Sequence, residues 1–473
     1  MSGVHISPYA GTWYPDEPPD LALLLDERFE ESGRRTGEFP FSEALGFVVP
    51  HAGPAYSGTV AAAAYRAIGR INPERVVVIG FPHHGGLRGA AVPDVAAIET
   101  PLGRVELDTG FGGGFARIQE DRLCDHSVEI QLPFLQKAAP RARVAVLYAG
   151  RMGRQERTRV AGLLAAEWRP GTVFVASSDF THFGRSFGFT PFPADDAAGR
   201  HLHDLDFECI EAAGSLDPLL FADTLEQTGA TVCGSDPIGL LLETMGRIGS
   251  EEVYQTTLDY QTSGEITRDY THSVSYAALA YCRREAFHLA PDDCDALLES
   301  AAETIAVLRR TGERQPFPAR GSAALEACRG VFVSLHQDSV LLGCIGNYNG
   351  RGPVATQVAE MALSAALDDP RFRPAARVSG PIDIEISVLT PLKRITSPAQ
   401  FKVGTHGGLL RLHGHAGLLL PQVAENYDWS AEQFLEALAR KSGLGPHAWD
   451  DPKARLSVFE AQVFSRPGLP GRS

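Results

Sequence analysis

The sequence predicts two successive folds: an α/β domain in which helices cover a central sheet, then a smaller α+β domain. Three observations carry that prediction. In the first part of the chain, short β-branched runs alternate with helical patterns, as strands covered by helices do. Beyond residue 294, strand-like and helical segments follow one another without strict alternation. Between these parts lies RREAFHLAPDD, residues 283–293, charged and proline-containing as a linker would be.

Taken in order, GFVVP (46–50), RVVVIG (75–80), RVAVLYAG (143–150) and TVFVAS (172–177) are runs of the length and composition of buried strands. GTVAAAAYRAIGRI (58–71), SVEIQLPFLQKAA (127–139) and DPIGLLLETMGRI (236–248) have helical patterning, and the apolar AAAAYRAI stretch is core packing. The strand VSYAALAYC (274–282) closes a first domain spanning residues 1–285. The second, residues 294–466, opens with the helix CDALLESAAETIAVLRR (294–310) and continues into strand-like GVFVSLH, SVLLGCIG and IDIEISVLT. GGLLRLHGHAGLLL (407–420) has two apolar runs around HGHA and reads as a hairpin. Ser430 and Gln433 form a capping box that opens the helix AEQFLEALARK, and Gly443 is placed to end it. Residues 467–473 are expected to be a frayed tail.

Composition bounds the function. With 473 residues, 44% hydrophobic and 21% charged, the chain is globular and large enough for two cores. Its formal net charge of −15 argues against a general binder of nucleic acid or anionic membranes, which need clustered Lys and Arg. Seven cysteines without CxxC spacing make neither a disulfide framework nor a zinc ribbon, so a reducing cytoplasm is the expected location. MSGVHISPYAGTWYP shows no basic segment followed by an apolar one, and no apolar run approaches the roughly 20 residues that span a bilayer. No membrane association is expected.

The strand ends carry the chemistry. The first delivers His51, the second His83 and His84 in GFPHHGG, and the fourth is followed by SSDFTHFG with Asp179 and His182. In open α/β sheets ligands sit outside the carboxyl ends of the strands, so groups delivered there converge. DHSVEIQLPFL opens a helix with Asp125 and His126, and TVCGSDPIG places Cys233 just before another, where amide dipoles would favour a thiolate. One strand-end histidine alone is more often a structural hydrogen-bonder than a ligand. The joint pattern points to a metal site in which His51, His83 and Cys233 occupy three positions and the rest stay open. Asp179, His182 and His126 would then act beside the metal or as acid and base.

These motifs, VVPHAGPAYSG, GFPHHG, DHSVEIQLPFL, SSDFTHFG and TVCGSDPIG with the leading AGTWYP, resemble the Memo family over roughly residues 6–282. That family's fold is similar to the class III extradiol dioxygenases, a sandwich of a central sheet covered by helices. The resemblance implies metal ligands at His51, His83 and Cys233 and an acid/base at His182. Two departures bear on the substrate more than on the metal: Pro82 stands where a serine usually precedes the paired histidines, and Ser235 and Asp236 replace a more basic pair. Residues 294–466 resemble the Ammecr domain through GVFVSLH, GCIG, IEISVLTP, GLLLPQVA and WSAEQFLEALARKSGL. There the run LLGCIG has Leu342 where that family carries an arginine, and retains Cys344. The pairing of the two domains implies a radical-SAM protein as a partner.

The resulting expectation is a metal-dependent oxidoreductase of extradiol-dioxygenase type, acting on an aromatic or phenolic small molecule with iron(II) and O2. Because a thiolate is softer than the usual carboxylate, copper and zinc also suit the donor set. A metal-dependent hydrolase and a non-catalytic metal-binding redox or adaptor protein are the competing classes.

Overall fold

The computed structural model describes residues 3–84, 86–249 and 253–469. The chain divides into two compact units, residues 1–283 and 284–473. The first is built on four parallel strands, in spatial order Gly46–Val49, Thr172–Ser177, Arg75–Gly80 and Arg143–Ala149. Because these strands are parallel, their carboxyl ends share one rim of the sheet. His272–Arg283 pairs antiparallel with Gly46–Val49, extending the sheet on that side. Val253–Thr262 and the short His182–Gly184 both pair antiparallel with His272–Arg283.

All four central strands are almost wholly buried, which explains their near-continuous apolar runs: a sheet covered on both faces has no solvent side to alternate toward. One face packs against Ser235–Ile248, whose Ile238, Leu241, Leu242 and Met245 join Val77, Leu147 and Phe174 in the core. The helix Pro54–Ile71 starts four residues before the expected Gly58, because Pro54 suits the first turn, where its missing N–H costs nothing. It ends at Asn72, which takes the left-handed conformation at φ 51°. The predicted 127–139 helix divides into His126–Glu129 and Gln131–Ala138. Pro133 has no N–H to give the Glu129 carbonyl, so the ladder breaks there.

In the second unit, the helices Pro291–Thr311 and Val354–Leu367 share a core with the strands Val331–Gln337 and Ile382–Leu389. A separate apolar cluster forms under Ala431–Lys441, whose Ser430 and Gln433 make the expected capping box. Gly443 lies just past that helix at φ 76°. The hairpin is also present: Gly407–Leu412 pairs with His415–Leu419 through His413 and Gly414, both at positive φ, as a two-residue turn requires.

Two expectations are corrected. The stretch 283–293 is not an open linker: Arg284–Phe287 is a 3-10 turn, and Pro291 already begins a helix. Leu289 is held at both backbone groups by Gln462, whose Oε1 accepts from the Leu289 N–H at 2.8 Å and whose Nε2 donates to the Leu289 carbonyl at 3.0 Å. Nor does a tail begin at 467, because the strand Ala461–Leu469 stays paired along Ile382–Leu389. The rest of that expected tail, residues 470–473, lies outside the described residues. Among the described residues, no helix is long and apolar enough to cross a membrane.

Candidate metal centre

His51 stands two residues beyond Val49 and is 2% exposed. Its backbone N–H donates to Asp179 Oδ1 at 2.7 Å, and that oxygen also accepts from Ala52 at 3.2 Å. The carboxylate therefore pins the chain as it leaves the strand. The neighbours of His51 decide its tautomer. Ser177 Oγ gives its own proton to the Ser127 carbonyl and accepts from Gln131 Nε2, so at 3.0 Å it accepts from His51 Nδ1–H. The lone pair is left on Nε2, which lies 3.2 Å from Cys233 Sγ. Burial first, and the nearby His83, lower the His51 pKa to about 3, so the ring is neutral, as a ligand must be.

His83 is fixed in the same way by Asp125. Oδ1 accepts from the ring Nδ1 at 2.9 Å and Oδ2 from the His83 backbone N–H at 2.9 Å, again turning the Nε2 lone pair outward. A carboxylate behind a histidine is how metal-binding imidazoles are oriented. Burial works to raise the Asp125 pKa, but the His83 hydrogen bond and the fields of His126 and His83 hold it well below the usual carboxylate range. Asp125 also caps the short helix, accepting from Ser127 N–H at 2.9 Å. That helix reaches the strand end because residue 80 is glycine: a Cβ there would meet Val128 Cγ2 at 2.5 Å and Ser127 Oγ at 2.7 Å.

The same turn brings in His126, whose ring stacks on His83 at 4.3 Å between centroids. Donor atoms of His51, His83 and His126 lie within 4.8 Å of one another. His126 Nδ1 is buried and lies 3.3 Å from Asp125 Oδ1, but at an angle that makes no hydrogen bond. Burial first, then His51, lowers the His126 pKa to about 3. Trp13 stacks on its other side at 4.4 Å, and Tyr9 meets its edge at 5.8 Å.

Cys233, His51 and Asp179 form a second set of donors within 4.8 Å of one another. Without a cation, burial first, and then the Asp179 charge, push the Cys233 thiol well above its ordinary pKa, outweighing the start of the helix. Deprotonation there needs a cation. Burial likewise raises Asp179, against the pull of His182. His182 opens a short strand rather than lying in a loop, and its Nδ1 is 2.9 Å from the Phe180 carbonyl and 3.0 Å from the Thr231 carbonyl. Carbonyls only accept, so Nδ1 carries the proton and Nε2 is the basic atom.

The six residues given a metal or acid/base role from sequence thus lie at or beside this rim. All but His182 fall into two donor groups that share His51, one with His83 and His126 and one with Asp179 and Cys233, rather than into the single expected set of His51, His83 and Cys233. Sequence reasoning missed Trp13, although its motif AGTWYP was visible, and it missed Ser177 and Gln131, which set the His51 tautomer.

Comparison with known proteins places this arrangement. Residues 7–280 match the family described as Memo-like protein. The chain belongs to the Memo-like family. An AMMECR1 domain follows in tandem at residues 298–464. The Memo-like unit is similar to the protein memo-1 homolog of Caenorhabditis elegans, 30% identical over 287 residues, which are 57% of this chain and 80% of that one. It is likewise similar to a MEMO1 family protein of Methanopyrus kandleri, 33% identical over 294 residues, 58% of this chain and 97% of the other. A protein of Methanothermobacter thermautotrophicus is 42% identical over 147 residues, 30% of this chain and 77% of its own.

Proposed function

We propose that the Memo-like unit is a metal-dependent oxidoreductase of the extradiol-dioxygenase kind, using iron(II) held by His51, His83 and Cys233 to act on a phenolic small molecule with O2. The observation that carries this reading is the convergence of His51, His83 and His126, whose donor atoms lie within 4.8 Å of one another, on one rim of the sheet. His51 and His83 are each held at Nδ1 and present Nε2 outward, with Cys233 Sγ 3.2 Å from the first. The residues fit a cation: the thiol needs one to ionise, and among the described residues the buried His126 Nδ1 has no hydrogen-bond partner. When bound, iron supplies Lewis acidity toward a phenolic oxygen and redox capacity toward O2.

The chain's own residues do the rest. Asp125 and Ser177 hold the two rings in one tautomer, which removes the cost of reorienting them. Asp179 fixes the backbone at His51. His182, with Nδ1–H held by two carbonyls, offers Nε2 to take the phenol proton. Trp13 and Tyr9 pack an aromatic wall against His126 that suits a flat substrate.

The thiol supports a second reading. Two imidazoles and a thiolate also suit zinc, and a zinc-bound unit would activate water for hydrolysis without O2. The test is metal analysis of anaerobically purified protein combined with oxygen uptake across a phenol panel. Iron with substrate-dependent uptake is the expected result. Zinc with product formed anaerobically would replace the oxidoreductase by the hydrolase. The tandem AMMECR1 domain supports a radical-SAM protein as partner, which co-purification would test.

A further inference from the structure

The sequence lacks the basic pair expected after the cysteine: Ser235 and Asp236 stand there. In the structure, Asp236 lines a cavity of about 670 Å³ into which Arg88 and Arg151 also face. Those two arginines are paired in a parallel bridge, secured by Gly89 N–H on the Arg151 carbonyl at 3.2 Å and Arg151 N–H on the Leu87 carbonyl at 3.2 Å. Bridged residues project to the same side, and like charges so placed repel. Among the described residues, neither guanidinium makes an ion pair. The other acid on the wall, Glu156, is already engaged by both Nε and Nη2 of Arg159, at 2.9 and 2.7 Å. Asp236 Oδ1 accepts from the Met152 N–H at 3.1 Å, and its field reaches Arg151. With Glu156 so engaged, Arg88 and Arg151 face Asp236 alone, which leaves one uncompensated positive charge on two solvent-exposed guanidiniums. A fold that holds two cations together without a protein counter-charge for both gains stability when an anion joins them.

The cavity also shares its supports with the metal centre. Arg88 follows His83 by five residues in sequence, and Asp236 follows Cys233 by three at one helix start. Chain geometry caps those α-carbon separations at about 18 Å and about 11 Å. We propose that Arg88 and Arg151 form an oxyanion site that takes the carboxylate or phosphate of the substrate, so that the substrate class is an anionic phenol. This rests on the metal-centre reading for the chemistry at the other end of the molecule, but anion binding is measured independently of it.

The test titrates the full chain by calorimetry with inorganic phosphate, 4-hydroxyphenylacetate and phenol. The variants are Arg88→Gln with Arg151→Gln, the matching double lysine variant, and His51→Ala. Wild type should bind phosphate or 4-hydroxyphenylacetate more tightly than phenol, and the tighter of the two identifies the oxyanion. The double glutamine variant should lose at least tenfold in affinity for that anion while keeping its metal content and circular dichroism. Double lysine should recover part of it, since charge is kept and the forked geometry lost. His51→Ala should still bind phosphate. Equal anion affinity in wild type and the double glutamine variant would overturn the site, as would a wild type that prefers phenol or binds neither anion. Failure of the metal reading would show instead as His51→Ala keeping its metal.

Discussion

Replacing Asp125 by Asn should loosen the metal centre while leaving the unit folded. In the native structure, Oδ1 accepts from His83 Nδ1–H and Ser127 N–H, both at 2.9 Å, and Oδ2 from His83 N–H at 2.9 Å. An asparagine has one acceptor and one donor in place of those oxygens. With its oxygen toward His83 Nδ1 and Ser127, its NH2 confronts the His83 N–H. Flipped, it keeps that bond and confronts the other two donors. The better orientation therefore loses one charge-assisted hydrogen bond and buries a donor against a donor, costing about 1.5–3 kcal/mol. The helix cap survives, because Asn caps nearly as well as Asp. The His83 ring loses its anionic partner, and loss of such support costs about 10–100-fold in metal affinity. Chelator competition for the metal that co-purifies, with urea unfolding of the metal-free protein, measures both. Unchanged metal affinity in a folded Asp125→Asn variant would refute the reasoning, since it would mean that His83 is not oriented through Asp125.

Three further outcomes are expected. Cys233→Ala should lose bound metal, whereas His182→Ala should keep it and lower turnover by about 10²–10⁴ once a substrate is known; metal analysis of both variants distinguishes ligand from base, and metal loss in the second would make His182 a ligand. Gly80→Ala should destabilise the first unit by about 1–3 kcal/mol and weaken metal binding, because a Cβ 2.5 Å from Val128 Cγ2 drives away the turn carrying Asp125 and His126; a variant that matches wild type in thermal melting and metal content would show that the turn gives way freely. In the AMMECR1 domain, Asp369 is held at about 2 from 3.8, chiefly by its Arg371 hydrogen bond, so its contribution is complete above its unfolded pKa and is lost as pH falls through about 2. The shift corresponds to roughly 2.5 kcal/mol, and solvent screening at Arg371, whose side chain is 55% exposed, reduces it to about 1 kcal/mol. The stability gap between wild type and Asp369→Asn should therefore shrink by about 0.7 kcal/mol between pH 6 and pH 3, and a gap constant over that range would refute the assignment.

Much of this was legible in one dimension because it depends on local pattern. Buried strands such as RVVVIG and TVFVAS announce themselves by composition, and Ser430 with Gln433 closes a hydrogen-bonded box within four residues. His51, His83, Asp179 and His182 could be grouped from sequence because parallel strands deliver their carboxyl ends to one rim, so a residue just beyond a strand has its place set by topology. Side-chain state had no such local sign. That His126 joins His51 and His83 depends on Gly80 admitting a turn from more than forty residues away. The raised pKa of Cys233 in the absence of a cation reflects burial and the Asp179 charge, both of which override the helix-start dipole visible in sequence. The expected linker is tied down by Gln462, far along the chain, and Leu342 gave no hint that Arg371 would donate to the neighbouring Cys344 carbonyl at 3.0 Å. Periodicity and caps act over a few residues and can be read along the chain. Hydrogen-bond satisfaction, tautomers and desolvation depend on what packs around a group, and only the tertiary structure decides that.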